Sequence, residues 1–221
     1  LAKHKLQRFA ENDTLRSVIQ PRLAYPPVGF PLKGKWAQDY FKNNNPIVLE
    51  LGCGRGEYTV GLAQKFPDKN FIGVDLKGAR LWRGAKTAVE QNMYNVGFLR
   101  IMVDQIAYYF DKDEVSEIWV TFPDPQPQIS REKKRLTSLN FIDKYKHFLK
   151  PNGLIHLKTD SLSLFDYTIE VVKENNFKMN VCTHNLYQSG LADDILEIKT
   201  TYEKIFLAKG MSINYMNFNL S

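Results

Sequence analysis

The chain has 221 residues, which a soft prior of roughly 150 per domain reads as one domain with at most a small appendage. A composition of 43% hydrophobic and 24% charged residues excludes a disordered chain, and two cysteines exclude a disulfide framework or a multi-cysteine zinc site. Lys and Arg total 30 against 24 Asp and Glu, and the resulting net charge of +6 favours polyanionic partners. No apolar run approaches the roughly 18 residues of a membrane span. The start, Leu1-Ala-Lys-His-Lys, has no apolar signal core, so a reducing, cytoplasmic setting is expected. It is not Met, so native residues are expected ahead of it.

Residues 1–30 read as an irregular, basic N-terminal arm, with Lys3, Lys5, Arg8, Arg16 and Arg22, made extended at Pro26-Pro27. Residues 31–221 read as the main domain. Trp36, Ala37, Tyr40 and Phe41 have helical spacing, and Asn43-Asn44-Asn45-Pro46 ends that helix. Strands are expected at Pro46–Leu51, Asn70–Asp75, Val96–Val103, Glu117–Phe122 and Leu154–Lys158. Helices are expected at Tyr58–Lys65, Leu81–Gln91, Arg135–Leu149 and Phe165–Asn175. Phe177–His184 and Tyr202–Ala208 read as two late strands in an antiparallel edge hairpin. The alternation predicts an α/β fold with a mainly parallel, seven-stranded sheet and helices on both faces.

Gly52-Cys53-Gly54-Arg55-Gly56 lies between a buried strand and a helix. Glycines without Cβ atoms let the backbone turn sharply and let a ligand lie against it. The spacing is G-x-G-x-G, not the dinucleotide G-x-G-x-x-G, and Glu50 stands two positions ahead. A carboxylate there would repel a pyrophosphate and attract an amino-acid ammonium. Asp75 follows the next strand, about 20 residues on, where an acid accepts hydrogen bonds from ribose hydroxyls. Asp104 follows the third strand, placed to accept from an adenine amino group. This order resembles the first motif of the Rossmann-like class I methyltransferases, which bind S-adenosylmethionine and release S-adenosylhomocysteine.

The fourth strand ends in Phe122-Pro123-Asp124-Pro125, where two prolines fix φ on either side of Asp124. No aromatic follows, so the [DN]-P-P-[YF] pattern of amino-group methyltransferases is absent. A basic run comes next, Arg131-Glu132-Lys133-Lys134-Arg135, then Lys158-Thr159-Asp160 and Thr200-Thr201-Tyr202-Glu203. Together these residues resemble the bacterial tRNA (guanine-N7)-methyltransferases, from about Leu6 to Lys209.

That resemblance implies methylation of guanosine 46, in the variable loop of tRNA. It places cofactor contacts on Glu50, Asp75, Asp104 and Asp124, beside Gly52, Gly54 and Gly56 of the turn, and the catalytic role on Asp124. It places substrate contacts on Asp160, Thr200, Tyr202 and Glu203. Gln126 stands where the family commonly has Trp, and Gln128 where it commonly has a substrate-contacting Lys. Arg131, Lys133 and Lys134 are the candidates to replace that Lys. The basic run reads as a phosphate clamp, with the N-terminal basic residues as a second contact. The enzyme is expected to need no metal, no membrane and no obligate protein partner, as a monomer or homodimer. Competing readings are a methyltransferase on another RNA or a small molecule, a catalytically silent tRNA-binding module, and, more distantly, a nicotinamide dehydrogenase.

Overall fold

The computed structural model describes residues 2–21, 29–193 and 196–220. Arg22 and Pro26-Pro27 lie outside the described residues. The chain runs through α1 (Ala2–Asn12), β1 (Val18–Ile19), a π-helical turn (Trp36–Phe41), β2 (Ile47–Leu51), α2 (Glu57–Lys65), β3 (Asn70–Val74), α3 (Gly78–Glu90) and β4 (Val96–Leu99). It continues through β5 (Val115–Thr121), α4 (Leu139–Tyr145), β6 (Leu149–Thr159), α5 (Leu162–Glu174), β7 (Lys178–Thr183), α6 (Thr201–Ala208) and β8 (Asn214–Asn219).

One eight-stranded sheet has the order β1-β4-β3-β2-β5-β6-β8-β7. Its pairs are parallel from β1 to β6, and β8 runs antiparallel to both β6 and β7. The central strands are apolar on both faces because helices cover both. Leu49, Leu51, Ile72, Val74, Ile118 and Val120 face the core under α4 and α5. Val48, Phe71, Phe98 and Trp119 face the core under α2 and α3. Glu50 shares its face with Val48, so its side chain points into the α2 side.

Three expectations are corrected. The N-terminal stretch is a helix, α1, and a two-residue strand, β1, that adds an eighth strand to the expected seven. Docking stabilises this short helix, since an isolated one of that length is marginal in water. The Glu11 carboxylate accepts from Trp82 Nε1 at 2.7 Å and from Lys86 Nζ at 2.8 Å, and Arg100 lies over the Phe9 ring. Tyr202–Ala208 is helical, not a strand: the Thr200 hydroxyl accepts from the Glu203 N–H at 3.2 Å and caps α6. The strand antiparallel to β7 is therefore β8. Between β5 and β6 the helix spans only Leu139–Tyr145 because Arg135 and Ser138 are extended, and Ile129–Lys134 is a 3-10 turn.

Candidate active site

Five strands in a row, β4-β3-β2-β5-β6, bring five acids to the carboxyl edge of the sheet. Asp104 comes after β4, Asp75 after β3, Glu50 within β2, Asp124 after β5 and Asp160 after β6. Ligands of open α/β sheets bind outside this edge, where the strand order reverses about the first strand of the unit. That strand is β2, and the glycine turn follows it.

Gly52, Gly54 and Gly56 all have positive φ, at 75°, 56° and 70°, a conformation in which a Cβ is strained. The turn is sewn to β3: the N–H groups of Gly52 and Cys53 donate to the Val74 carbonyl at 2.8 and 3.1 Å. The Gly54 N–H donates to Asp75 Oδ2 at 2.9 Å, and the Lys77 N–H to Asp75 Oδ1 at 2.7 Å. Gly56 faces inward, where a Cβ would sit 2.4 Å from the Phe98 ring. Cβ atoms at Gly52 and Gly54 would meet nothing closer than 3.8 Å. The outer side of the turn is thus a cradle of bare backbone.

Glu50 is 3% exposed. Its Oε2 accepts from the Thr59 N–H at 2.8 Å and from the Thr59 hydroxyl, and its Oε1 accepts from the Thr121 hydroxyl at 2.5 Å. Burial raises its pKa to about 7 against the lowering effect of these donors, and the Asp75 charge adds to the rise. Burial, with Glu50 and Asp75 nearby, holds the Cys53 thiol well above its ordinary value, so it stays protonated and unreactive. Asp104 opens a 3-10 turn rather than ending a strand, and its exposed carboxylate accepts from Lys144 Nζ at 3.5 Å.

On the other side Asp124 is exposed. Its Oδ1 accepts from the Gln126 N–H at 3.1 Å, and the loop is bracketed by two non-glycine residues at positive φ, Phe122 at 48° and Gln126 at 44°. Such strain clusters at functional sites. Arg135 donates to the Gln126 carbonyl at 3.3 Å and lies over the Tyr167 ring, tying the basic turn to this loop. Arg131, Lys133 and Lys134 are exposed. Burial raises the pKa of the half-buried Asp160.

Thr200, Tyr202 and Glu203 sit at the start of α6, which two anchors hold near this edge. The Thr201 N–H and hydroxyl donate to the Glu57 carboxylate at 2.7 and 2.5 Å. Lys158 Nζ, fully buried at the end of β6, pairs with the equally buried Glu203 Oε1 at 2.8 Å and donates to the Leu196 and Ile198 carbonyls. The Tyr187 hydroxyl donates to the same Glu203 oxygen at 2.7 Å. Tyr202 is 46% exposed, whereas the Glu203 side chain faces inward.

Sequence reasoning missed Lys158, Thr59, Thr121 and Glu57. Lys158 carried a signal, being a charge in a strand whose other residues pack; charges are almost never fully buried unless paired. The threonines carried none, because nothing local distinguishes a carboxylate's hydrogen-bond donor from an ordinary strand or helix residue.

The chain matches the sequence model of a family described as "Putative methyltransferase" over residues 44–216. In fold it is similar to the 16S rRNA methyltransferase KamB, with a TM-score of 0.63 at 14% identity, covering 83% of this chain and 92% of that one. A geranyl diphosphate C-methyltransferase from Streptomyces coelicolor, solved with S-adenosyl-L-homocysteine, superposes with a TM-score of 0.52 at 16% identity, covering 85% and 74%. Sheet order, glycine cradle and acidic edge define a class I S-adenosylmethionine-dependent methyltransferase. Among curated relatives, the tRNA (guanine-N(7)-)-methyltransferase of Bacteroides fragilis is 52% identical over all of this chain and 87% of its own length. That of Christiangramia forsetii is 48% identical over 99% of both. The chain belongs to the tRNA (guanine-N7)-methyltransferase family.

Proposed function

We propose that this family member transfers the methyl group of S-adenosylmethionine to N7 of guanosine 46 in the tRNA variable loop. S-adenosylmethionine, when bound, supplies an electrophilic methyl on a sulfonium centre. The bare backbone of Gly52 and Gly54 and the carboxylates of Glu50, Asp75 and Asp104 fit such a donor: an open cradle facing negative charge suits a cationic amino acid carrying a nucleoside. The row of acids along the carboxyl edge is the observation that carries this reading.

Guanine N7 holds an in-plane lone pair, so no proton has to leave before attack and no general base is needed. The chain's task is orientation, for which well-placed reactants gain roughly 7–11 kcal/mol. Asp124, gripped by the Gln126 N–H, is the residue assigned to the reacting base. It stabilises the positive charge that grows on the purine, or holds the N1–H and N2 edge. Asp160 and Tyr202 form the opposite wall, and the Thr200 cap and the inward-facing Glu203 support it from behind. Glu203 Oε2 is buried and has no hydrogen-bond partner among the described residues. Arg131, Lys133 and Lys134 contact phosphates, and presenting the base costs a few kcal/mol of unstacking.

Among the described residues no helix is long and apolar enough to cross a membrane. The reading places the enzyme in the cytoplasm as a monomer or homodimer. Incubation of purified protein with S-adenosylmethionine and unmodified tRNA, followed by nuclease digestion and mass analysis, tests it. The expected product is 7-methylguanosine in the variable-loop fragment. Methylation elsewhere in the tRNA, or none, overturns the reading.

A further inference from the structure

On the α1–α3 side of the glycine turn lies a pocket of about 330 Å³ that none of the residues assigned above explains apart from its rim. Four arginines from three separate segments line it. Arg8 comes from α1, Arg55 from the glycine turn, and Arg80 and Arg83 from successive turns of α3. All four are exposed. No ion pair joins any of them to a carboxylate among the described residues. The nearby Glu11 carboxylate is already taken by Trp82 and Lys86. Arg8 lies over the Trp82 ring, 4.7 Å from its centroid. Gly54 and Tyr202 also line it.

Like charges brought together without acids repel one another, and Arg80 and Arg83, three apart on one helix, do so along α3. A ligand of opposite and repeated charge relieves that repulsion. One carboxylate, such as the donor's own, needs a single guanidinium. Four guanidiniums, each a planar fork of donors, suit several phosphates in a row. The larger cavity beside the basic turn, about 640 Å³, is a poorer host because Glu132, Glu170 and Glu174 line it.

We propose that Arg8, Arg55, Arg80 and Arg83 form a binding site for the sugar–phosphate backbone of the RNA substrate. Its position makes the strand run past Gly54 and Tyr202 and so fixes the register of the target base against the donor. Trp82 is the platform that holds Arg8 in place, and the docking of α1 is what completes the site. The proposal rests on the tRNA reading above and extends it to a second contact region, on the opposite side of the turn from Asp124.

The test compares wild type with Arg80→Gln plus Arg83→Gln, with Arg8→Gln, and with Lys112→Gln plus Lys150→Gln as a charge-matched control. The control residues lie at the amino ends of the strands. Gln has a helix propensity close to that of Arg, so α3 is retained. The double arginine variant is expected to bind tRNA at least tenfold more weakly. Its slope of log affinity on log salt should be shallower by about 1.4–1.8, the share of two phosphate contacts. Arg8→Gln should lose about half as much slope. S-adenosylhomocysteine affinity should match wild type. Binding and slope equal to the control overturn the proposal, as does a loss of S-adenosylhomocysteine affinity, which would assign the pocket to the donor. Methyl transfer to tRNA by the wild-type arm reports separately on the functional reading.

Discussion

On the β4-β3-β2 side of the carboxyl edge, the acids nearest the glycine turn are locked by the protein itself. Glu50 accepts three hydrogen bonds and is buried, and Asp75 holds two backbone N–H groups, one of them from the turn. On the β5-β6 side, Asp124 is exposed with one backbone partner, in a loop bracketed by two strained residues. There the order comes from behind, through the buried Lys158–Glu203 pair and the Glu57 anchor on α6. On the proposed division into a donor side and an acceptor side, the difference follows from what each side would handle. A small donor of fixed shape is met by preformed backbone and fixed charge. A macromolecular acceptor needs an open approach backed by a rigid support.

Substitutions can break this contrast. The largest effect is expected for Asp124→Asn. Loss of a preorganised group aimed at developing charge lowers the single-turnover rate by about 10²–10³-fold, with tRNA affinity largely kept. Rapid-quench measurements at saturating tRNA check it, and an unchanged rate removes Asp124 from the chemistry. Next comes Lys158→Met. It leaves Glu203 buried without its cation and costs about 3–5 kcal/mol in denaturant unfolding, whereas Lys158→Met combined with Glu203→Leu recovers most of that stability. Equal losses in the single and double variants would deny the pair its role as support.

Lys133→Ala plus Lys134→Ala is expected to weaken tRNA binding and flatten its salt slope by about 1.4–1.8, as filter binding across a salt series will show. A smaller effect separates the buried Glu50 from the half-buried Glu117 by pH. Glu50, raised to about 7 from an ordinary 4.5, takes up a proton on folding between those values, so its contribution makes stability fall as pH rises through that window. Glu117 is opposite in sign. Burial would raise it, but the His156 hydrogen bond and charge, with Lys69 and Trp119, outweigh burial and hold it near 2. Its stabilising contribution is present above about 4.5 and is lost as pH falls toward about 2. Glu50→Gln should remove the first slope and Glu117→Gln the second in pH-dependent thermal unfolding; slopes that survive these substitutions contradict the assignments.

Much of this was legible in the chain. The short apolar runs ending in Gly52, Asp75 and Asp124 announced parallel strands and their carboxyl edge, because such strands must be apolar on both faces. The start of α6 was legible too, but was misread. Thr200-Thr201-Tyr202-Glu203 has the T-x-x-E spacing of a helix start, while Tyr202, Ile205, Phe206 and Leu207 look like a strand. Capping decided it. The helicity of α1 was not legible, since it depends on Trp82 and Lys86, more than 70 residues away. The burial of Glu203 was equally hidden, because its cation arrives from another strand.

The contrast between the two sides is tested most directly by calorimetric titration of S-adenosylhomocysteine and of tRNA into Asp75→Ala and Asp160→Ala. Asp75→Ala should lose S-adenosylhomocysteine binding and keep tRNA affinity, and Asp160→Ala should show the reverse. If both variants lost both ligands together, or neither lost either, the carboxyl edge would not be divided into a donor side and an acceptor side.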